Sequence, residues 1–117
     1  MNGKLKLEGE YLNGKRNGKG KEYNRKCKLE FEGEYLNGEK NGKIKEYFDD
    51  GKLKFEGEYL NGKRNGKAKE YYDNGKLKFE GSYSNDEKWI GKDYDYSGNI
   101  EAEYINGKYK RKGCYIM

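Results

Sequence analysis

A chain of 117 residues that is 40% charged and only 32% hydrophobic has too little apolar material to fill the space between two packed layers. Its 15% aromatic content, including 13 tyrosines, is equally foreign to a disordered chain, so one domain built on a single extended sheet reconciles the two. With a formal charge of +5 and no histidine or proline, the chain lacks the usual general base, and binding is favoured over catalysis.

Met1-Asn2-Gly3-Lys4 leads directly into strand pattern, with no apolar leader and no run that could span a bilayer. A soluble, cytoplasmic protein is expected. From residue 5 the chain repeats itself with a period of 24, read from the glycine of Glu-Gly-(Glu/Ser)-Tyr at Gly9, Gly33, Gly57 and Gly81. Such a period marks a repeat architecture. The division is three regular repeats at 5–28, 29–52 and 53–76, an irregular repeat at 77–99 and a C-terminal cap at 100–117.

Within the third unit, Leu53, Phe55, Gly57 and Tyr59 alternate with Lys54, Glu56 and Glu58, the period-2 signature of a strand with one apolar and one charged face. Asn61-Gly62-Lys63-Arg64-Asn65-Gly66 carries two Asn-Gly pairs and reads as a long reversing loop. Lys67 to Tyr72 then forms a return strand, and Asp73-Asn74-Gly75 turns into the next unit. The fold expected is all-β: a single-layer antiparallel meander of tandem β-hairpins with about ten strands. Helix is excluded because 18 glycines leave no window long enough to be stable.

Two features of the first unit invite chemistry and fail. Gly14-Lys15-Arg16-Asn17-Gly18-Lys19-Gly20 resembles a phosphate loop but is one residue short, has no Ser or Thr and is followed by no helix. Cys27 replaces the turn glycine found at Gly51 and Gly75, so a different, looser reversal is expected there. Arg25 and Lys26 could lower its pKa, but Cys27 and Cys114 have no metal-type spacing and read as reduced thiols. Ser82, Ser84 and Ser97 have no base beside them. No enzyme, no cofactor and no small-molecule substrate are expected.

The pattern Glu-Gly-Glu-Tyr-Leu-Asn-Gly-Lys-Arg-Asn-Gly-Lys, followed by Glu-Tyr-Tyr-Asp-Asn-Gly-Lys, resembles the MORN repeat. The connecting linker Tyr72-Asp73-Asn74-Gly75-Lys76-Leu77-Lys78-Phe79-Glu80-Gly81 is similar to the bacterial variant in YwqK-like antitoxin proteins. The likeness covers 5–83 and decays from Ser84 onward. It implies a single-sheet hairpin array that serves protein assembly, with lipid association in some members, and it carries over no active site.

Three surfaces compete for a binding role. Mid-strand glycines leave holes that a neighbouring tyrosine can cover, so Tyr11, Tyr35, Tyr59 and Tyr83 form either a thin core or a stripe in which Tyr59 and Tyr83 face a partner. The loops containing Lys15, Arg16, Lys40, Lys63 and Arg64 fall on one edge and would recur every ~10 Å as a basic row. The irregular unit places Trp89 beside Ile90, with Asp86 and Glu87 before them and Tyr94 and Tyr96 after, as a cap or as a partner anchor. Its loop reads as one residue longer than the others and its last turn, Ser97-Gly98-Asn99, as shortened. Asp86, Glu87, Asp93 and Asp95 are acidic but do not resemble a calcium loop. The function expected is a non-catalytic protein-binding module, a stoichiometric inhibitor or antitoxin-like neutraliser of a toxin or nuclease. The alternatives are a peripheral binder of anionic lipid or nucleic acid through the basic row, and a scaffold that self-associates through edge strands.

Overall fold

Asn-Gly pairs decide where the chain reverses, because a two-residue hairpin turn needs positive φ at both central positions. In the computed structural model, which describes residues 6–112, the reversals are Asn13-Gly14, Asn37-Gly38, Asn61-Gly62 and Asn106-Gly107 (φ 49–52° at asparagine is seen also at Asn85), and Asn85-Asp86 does the same with φ 49° and 69°. They join β1 (Lys6–Leu12) to β2 (Lys15–Tyr23), β3 (Leu29–Leu36) to β4 (Glu39–Tyr47), β5 (Leu53–Leu60) to β6 (Lys63–Tyr71), β7 (Leu77–Ser84) to β8 (Glu87–Tyr94), and β9 (Ile100–Ile105) to β10 (Lys108–Arg111). The ten strands pair antiparallel in chain order in one sheet. The sheet is a ribbon of 60 × 28 × 18 Å.

The reversals are shorter than the sequence reading expected. Lys15, Glu39 and Lys63 open return strands instead of lying in loops. The second Asn-Gly of each unit is a bulge: three residues, Asn65 to Lys67, stand opposite Glu58 as the register passes from Gly57↔Ala68 to Tyr59↔Arg64. The bulge asparagine has a task. Asn17, Asn41 and Asn65 accept with Oδ1 from the backbone N–H of Asn37, Asn61 and Asn85 in the next turn, at 3.3, 3.0 and 3.0 Å. The following residue of each turn donates its N–H to the previous hairpin, as in Gly62 to the Lys40 carbonyl at 2.9 Å. The four hairpin turns from Asn37-Gly38 onward are thereby pinned to the unit before them.

One face of the ribbon is aromatic and the other charged. Phe55 and Phe79 are sealed from solvent and, with Ala68 and Tyr83, form the main cluster, flanked by Tyr59 and Tyr104. Tyrosine was expected to lie over the mid-strand glycines. At Gly57 it is Phe55 of the same strand instead: a Cβ would sit 2.8 Å from Phe55 Cζ and 2.9 Å from Ala68 Cβ and the Lys67 carbonyl oxygen. The glycine lets two backbones and a ring close up.

The Cys27 turn also departs from expectation. Its hydrogen bonds, Asn24 N–H to the Lys28 carbonyl and Cys27 N–H to the Asn24 carbonyl, both 2.9 Å, repeat those of Phe48–Lys52 and Tyr72–Lys76. Cys27 adopts φ 63° where Gly51 and Gly75 have 90° and 87°. Asn24 Oδ1 holds the turn by accepting from the N–H groups of Lys26 and Lys28 at 2.9 and 3.1 Å. A side chain in left-handed backbone is strained by about 1–3 kcal/mol, partly offset by the lower chain entropy it gives the unfolded state. Cys27→Gly should therefore raise stability by about 1 kcal/mol, read as a higher urea midpoint; an unchanged or lower midpoint would refute the strain.

Candidate interaction surface

Alternation along β6 puts Arg64, Ala68 and Glu70 on the same face as Phe55 and Tyr59. Charged groups enter a nearly dry aromatic face, and each has to be neutralised there. Glu46, 6% exposed, accepts from Tyr59 Oη at 2.7 Å and from Arg64 Nη2 at 3.2 Å. Arg64 reaches on to Glu70 at 3.5 Å and donates to Tyr83 Oη at 3.2 Å. Tyr83 in turn donates to Glu70. The guanidinium lies 4.0 Å above the Phe55 ring centroid, roofing it with a cation.

The same constellation recurs with the repeat. Glu22 accepts from Tyr35 Oη at 2.5 Å and pairs with Arg16 at 3.0 Å; Asp93 accepts from Lys88 at 2.9 Å and from Tyr104 at 3.2 Å. Lys40 lies 3.6 Å over Phe31, and Lys88 4.7 Å over Phe79. One basic residue per unit, Arg16, Lys40, Arg64 and Lys88, thus stands on the aromatic face and bridges a carboxylate. Glu22, Glu46 and Glu70 stand on the aromatic face, not on the charged one. Their signal was present in the even-numbered alternation of Arg64, Ala68 and Glu70, hidden by treating Asn65-Gly66 as a turn.

The expected basic row therefore does not form as a row of free cations. Arg16 is buried, Lys40 and Arg64 are half-buried, and all three are in ion pairs. Lys15 and Lys63 do stand exposed at the turn edge, but the corresponding positions of the intervening units are Glu39 and Glu87, also exposed. Tyr83, 7% exposed, belongs to the aromatic core, and Tyr59, half-buried, packs against it.

On the charged face acidic and basic strands alternate. Lys45 faces Glu32 and Glu56, Lys69 faces Glu56 and Glu80, and Lys92 faces Glu80 and Glu103. The ladder breaks once, where Ser82 meets Lys67 on one side and Ile90 on the other. At the turn edge of this face runs an aliphatic row: Leu12, Leu36, Leu60 and Ile105 are 58, 47, 50 and 60% exposed. Ser84 interrupts it, and Trp89 and Ile90 (40 and 52% exposed) stand on the adjoining strand. These positions recur every two strands, about 10 Å apart.

The irregular unit differs from expectation in its details. Its hairpin is shorter by one residue, not longer: the bulge is Trp89 alone, between Ser82↔Ile90 and Tyr83↔Lys88. Its last turn has the standard size, with Asp95 N–H bonded to the Asn99 carbonyl at 2.8 Å. The Trp89 ring packs on the next turn, where a Cβ at Gly107 would lie 2.9 Å from its Cζ3. Tyr94 and Tyr96 are not beside it. Tyr94 lies five residues along β8, about 17 Å away, and Tyr96 stacks edge-on with Tyr72 and donates to Asp73 at 2.9 Å. Asp86 Oδ1 accepts from the Arg64 N–H at 2.7 Å, while Glu87 is exposed. The four carboxylates of this unit do not converge, and among the described residues no cluster could hold a metal ion. Cys27 is exposed; Cys114 lies outside the described residues.

These features define a class: an open single-layer array of β-hairpins, each after the first locked to the one before. Residues 40–61 and 64–85 match the MORN repeat variant and residues 8–25 match the MORN repeat. The chain belongs to the MORN-repeat family, non-catalytic repeat modules that engage proteins or membranes. No curated protein matches it as a relative, so the likeness to antitoxins gains no support beyond the linker pattern itself.

Burial, followed by the hydrogen bond to Glu46, pushes the Tyr59 hydroxyl up to about 12; burial, followed by the bond to Glu32, does the same for Tyr47. An ordinary tyrosine titrates near ~10. The folded chain holds these protons longer than the unfolded one, so their stabilisation is complete below pH ~10 and is lost as pH rises through about 12. Phenolate absorbance should show a late phase near that pH that shrinks in Tyr59→Phe and Tyr47→Phe. Titration of all tyrosines in one ordinary phase would contradict the buried hydrogen bonds.

Proposed function

We propose that this chain is a protein-binding module that acts by occupying its partner's surface, as a stoichiometric neutraliser of a toxin or nuclease would. The observation that carries the reading is the aliphatic row Leu12, Leu36, Leu60 and Ile105 with Trp89 and Ile90, left exposed on a sheet whose other large apolar groups are mostly covered. The regular leucines supply area over several units, and Trp89 with Ile90, found once, supplies specificity. Against an anionic lipid or nucleic acid stands the charge pattern. The inward arginines and lysines are committed to carboxylates, and the turn edge alternates Lys15, Glu39, Lys63, Glu87 and Lys108. A phosphate-binding row needs cations of one sign along its length.

Capture from native extract with the wild-type chain should yield a partner that stays bound at high salt and is lost with Ile90→Ala, 52% exposed in the parent, and with Trp89→Ala plus Ile90→Ala, whose melting temperature is measured alongside because the Trp89 ring also packs on the turn at Gly107. Phosphatidylserine vesicles and duplex DNA should bind weakly. If either binds tightly at low salt, with affinity falling steeply as salt rises and lost in Lys15→Ala plus Lys63→Ala, the anionic-surface reading replaces this one.

A further inference from the structure

Inside the array, β3, β5 and β7 are each covered on their leading side by the return strand of the preceding hairpin, and the covering strand has one pattern. Gly42-Lys43-Ile44-Lys45-Glu46 faces Tyr59, Glu58, Gly57, Glu56 and Phe55 in turn. Gly18-Lys19-Gly20-Lys21-Glu22 and Gly66-Lys67-Ala68-Lys69-Glu70 face the corresponding residues of β3 and β7. The two lysines meet outer-face acids on β3 and β5, with Ser82 replacing one acid on β7, and the glutamate reaches the tyrosine hydroxyl.

β1 carries the same receiving pattern, Leu7-Glu8-Gly9-Glu10-Tyr11, and among the described residues no strand pairs with it on that side. Three groups register the difference. Tyr11 is 54% exposed where Tyr35 is 4%, Leu7 is 47% exposed where Phe55 is 1%, and Glu8 and Glu10 stand open to solvent. The decisive group is Arg16, the Arg64 equivalent. It is nine-tenths buried, yet its Nε has no hydrogen-bond partner, whereas Arg64 Nε donates to Tyr59 Oη at 3.3 Å, a hydroxyl held in place by Glu46 of the preceding hairpin. A buried unsatisfied guanidinium nitrogen is costly and rare.

We infer that the free edge of β1 is a docking site for an extended segment of a partner protein, of the form Gly-Lys-(small or aliphatic)-Lys-Glu, added antiparallel as an eleventh strand. Its backbone pairs with β1, its lysines meet Glu10 and Glu8, and its glutamate turns Tyr11 inward so that the hydroxyl accepts from Arg16 Nε. This is strand addition with pockets for alternate side chains. The site is independent of the turn-edge row and stands whether or not that row binds.

A second copy of this chain fits less well. The last strand among the described residues, β10, offers Lys108 and Lys110, but Arg111 faces Ala102 as Glu70 faces Phe55. It would bring a cation to Arg16 in place of the carboxylate. Two β1 edges together would oppose Glu8 and Glu10 to their own kind.

The test uses the full chain and a labelled peptide with the sequence of residues 42–48, Gly-Lys-Ile-Lys-Glu-Tyr-Phe, followed by fluorescence anisotropy and by amide exchange. Binding should slow exchange in β1 and weaken about tenfold when the peptide's glutamate becomes glutamine. It should be lost when both peptide lysines become glutamate, and be restored to that peptide by Glu8→Lys plus Glu10→Lys in the protein. Equal binding of the glutamate and glutamine peptides, failure of the charge swap, or protection at β10 instead of β1 would overturn the assignment. So would concentration-dependent association of the unmutated protein alone that protects β1 from exchange, since the occupant would then be a second copy.

Discussion

A carboxylate buried among the rings of the aromatic face is cut off from water, and groups on the neighbouring strands have to solvate it in its place. Glu46 meets that demand by accepting from Tyr59 and Arg64, both in the following hairpin. The bond crosses a unit boundary, so it serves as the clamp between units. Its consequences spread outward. Arg64, held by Glu46 and Glu70, lies on Phe55 and closes the core that no second layer covers. Tyr83, bonded to Glu70 and Arg64, closes the next. A thin domain with few fully buried side chains is thus assembled from nearest-neighbour contacts, as repeat arrays are.

The same constraint shapes what the molecule offers to others. Cations that neutralise buried acids are not available for phosphates, which leaves an alternating charge pattern on the surface and lets the aliphatic row stand out. On β1, which has no strand on its leading side among the described residues, Arg16 Nε is left without a partner and Tyr11 is exposed. Twisted ribbons with open ends invite strand addition, and like charges or misplaced ones on an edge decide what is refused.

Much of this was legible from residues alone. The period, the alternation of Leu53, Phe55, Gly57 and Tyr59 and the Asn-Gly signals lead to a ten-stranded meander, because local turn chemistry and binary pattern agree. What was hidden lay where one signal has two meanings. Asn65-Gly66 looks like Asn61-Gly62, yet it forms a bulge whose side chain holds the next turn, and reading it as a loop moved Arg16, Lys40 and Arg64 to the surface. Cys27 occupies a glycine's conformation because Asn24 secures the turn around it, a context no propensity contains. Trp89 and Tyr94 are near in sequence and far apart on an extended strand, so their adjacency on paper did not make a patch. Exposure of the leucine row follows from the same period-2 reading that gave the strands, but only once Lys63 was placed inside β6.

If the carboxylate clamp holds the array together, its two ends must be energetically coupled. A double-mutant cycle on Glu46→Gln and Arg64→Met, read by urea unfolding, measures that coupling with the contributions of each residue's other contacts removed. A coupling of about 1–3 kcal/mol is expected for a partly buried, hydrogen-bonded pair. Additive effects, with a coupling indistinguishable from zero, would mean that the hairpins are held by strand pairing and ring packing alone.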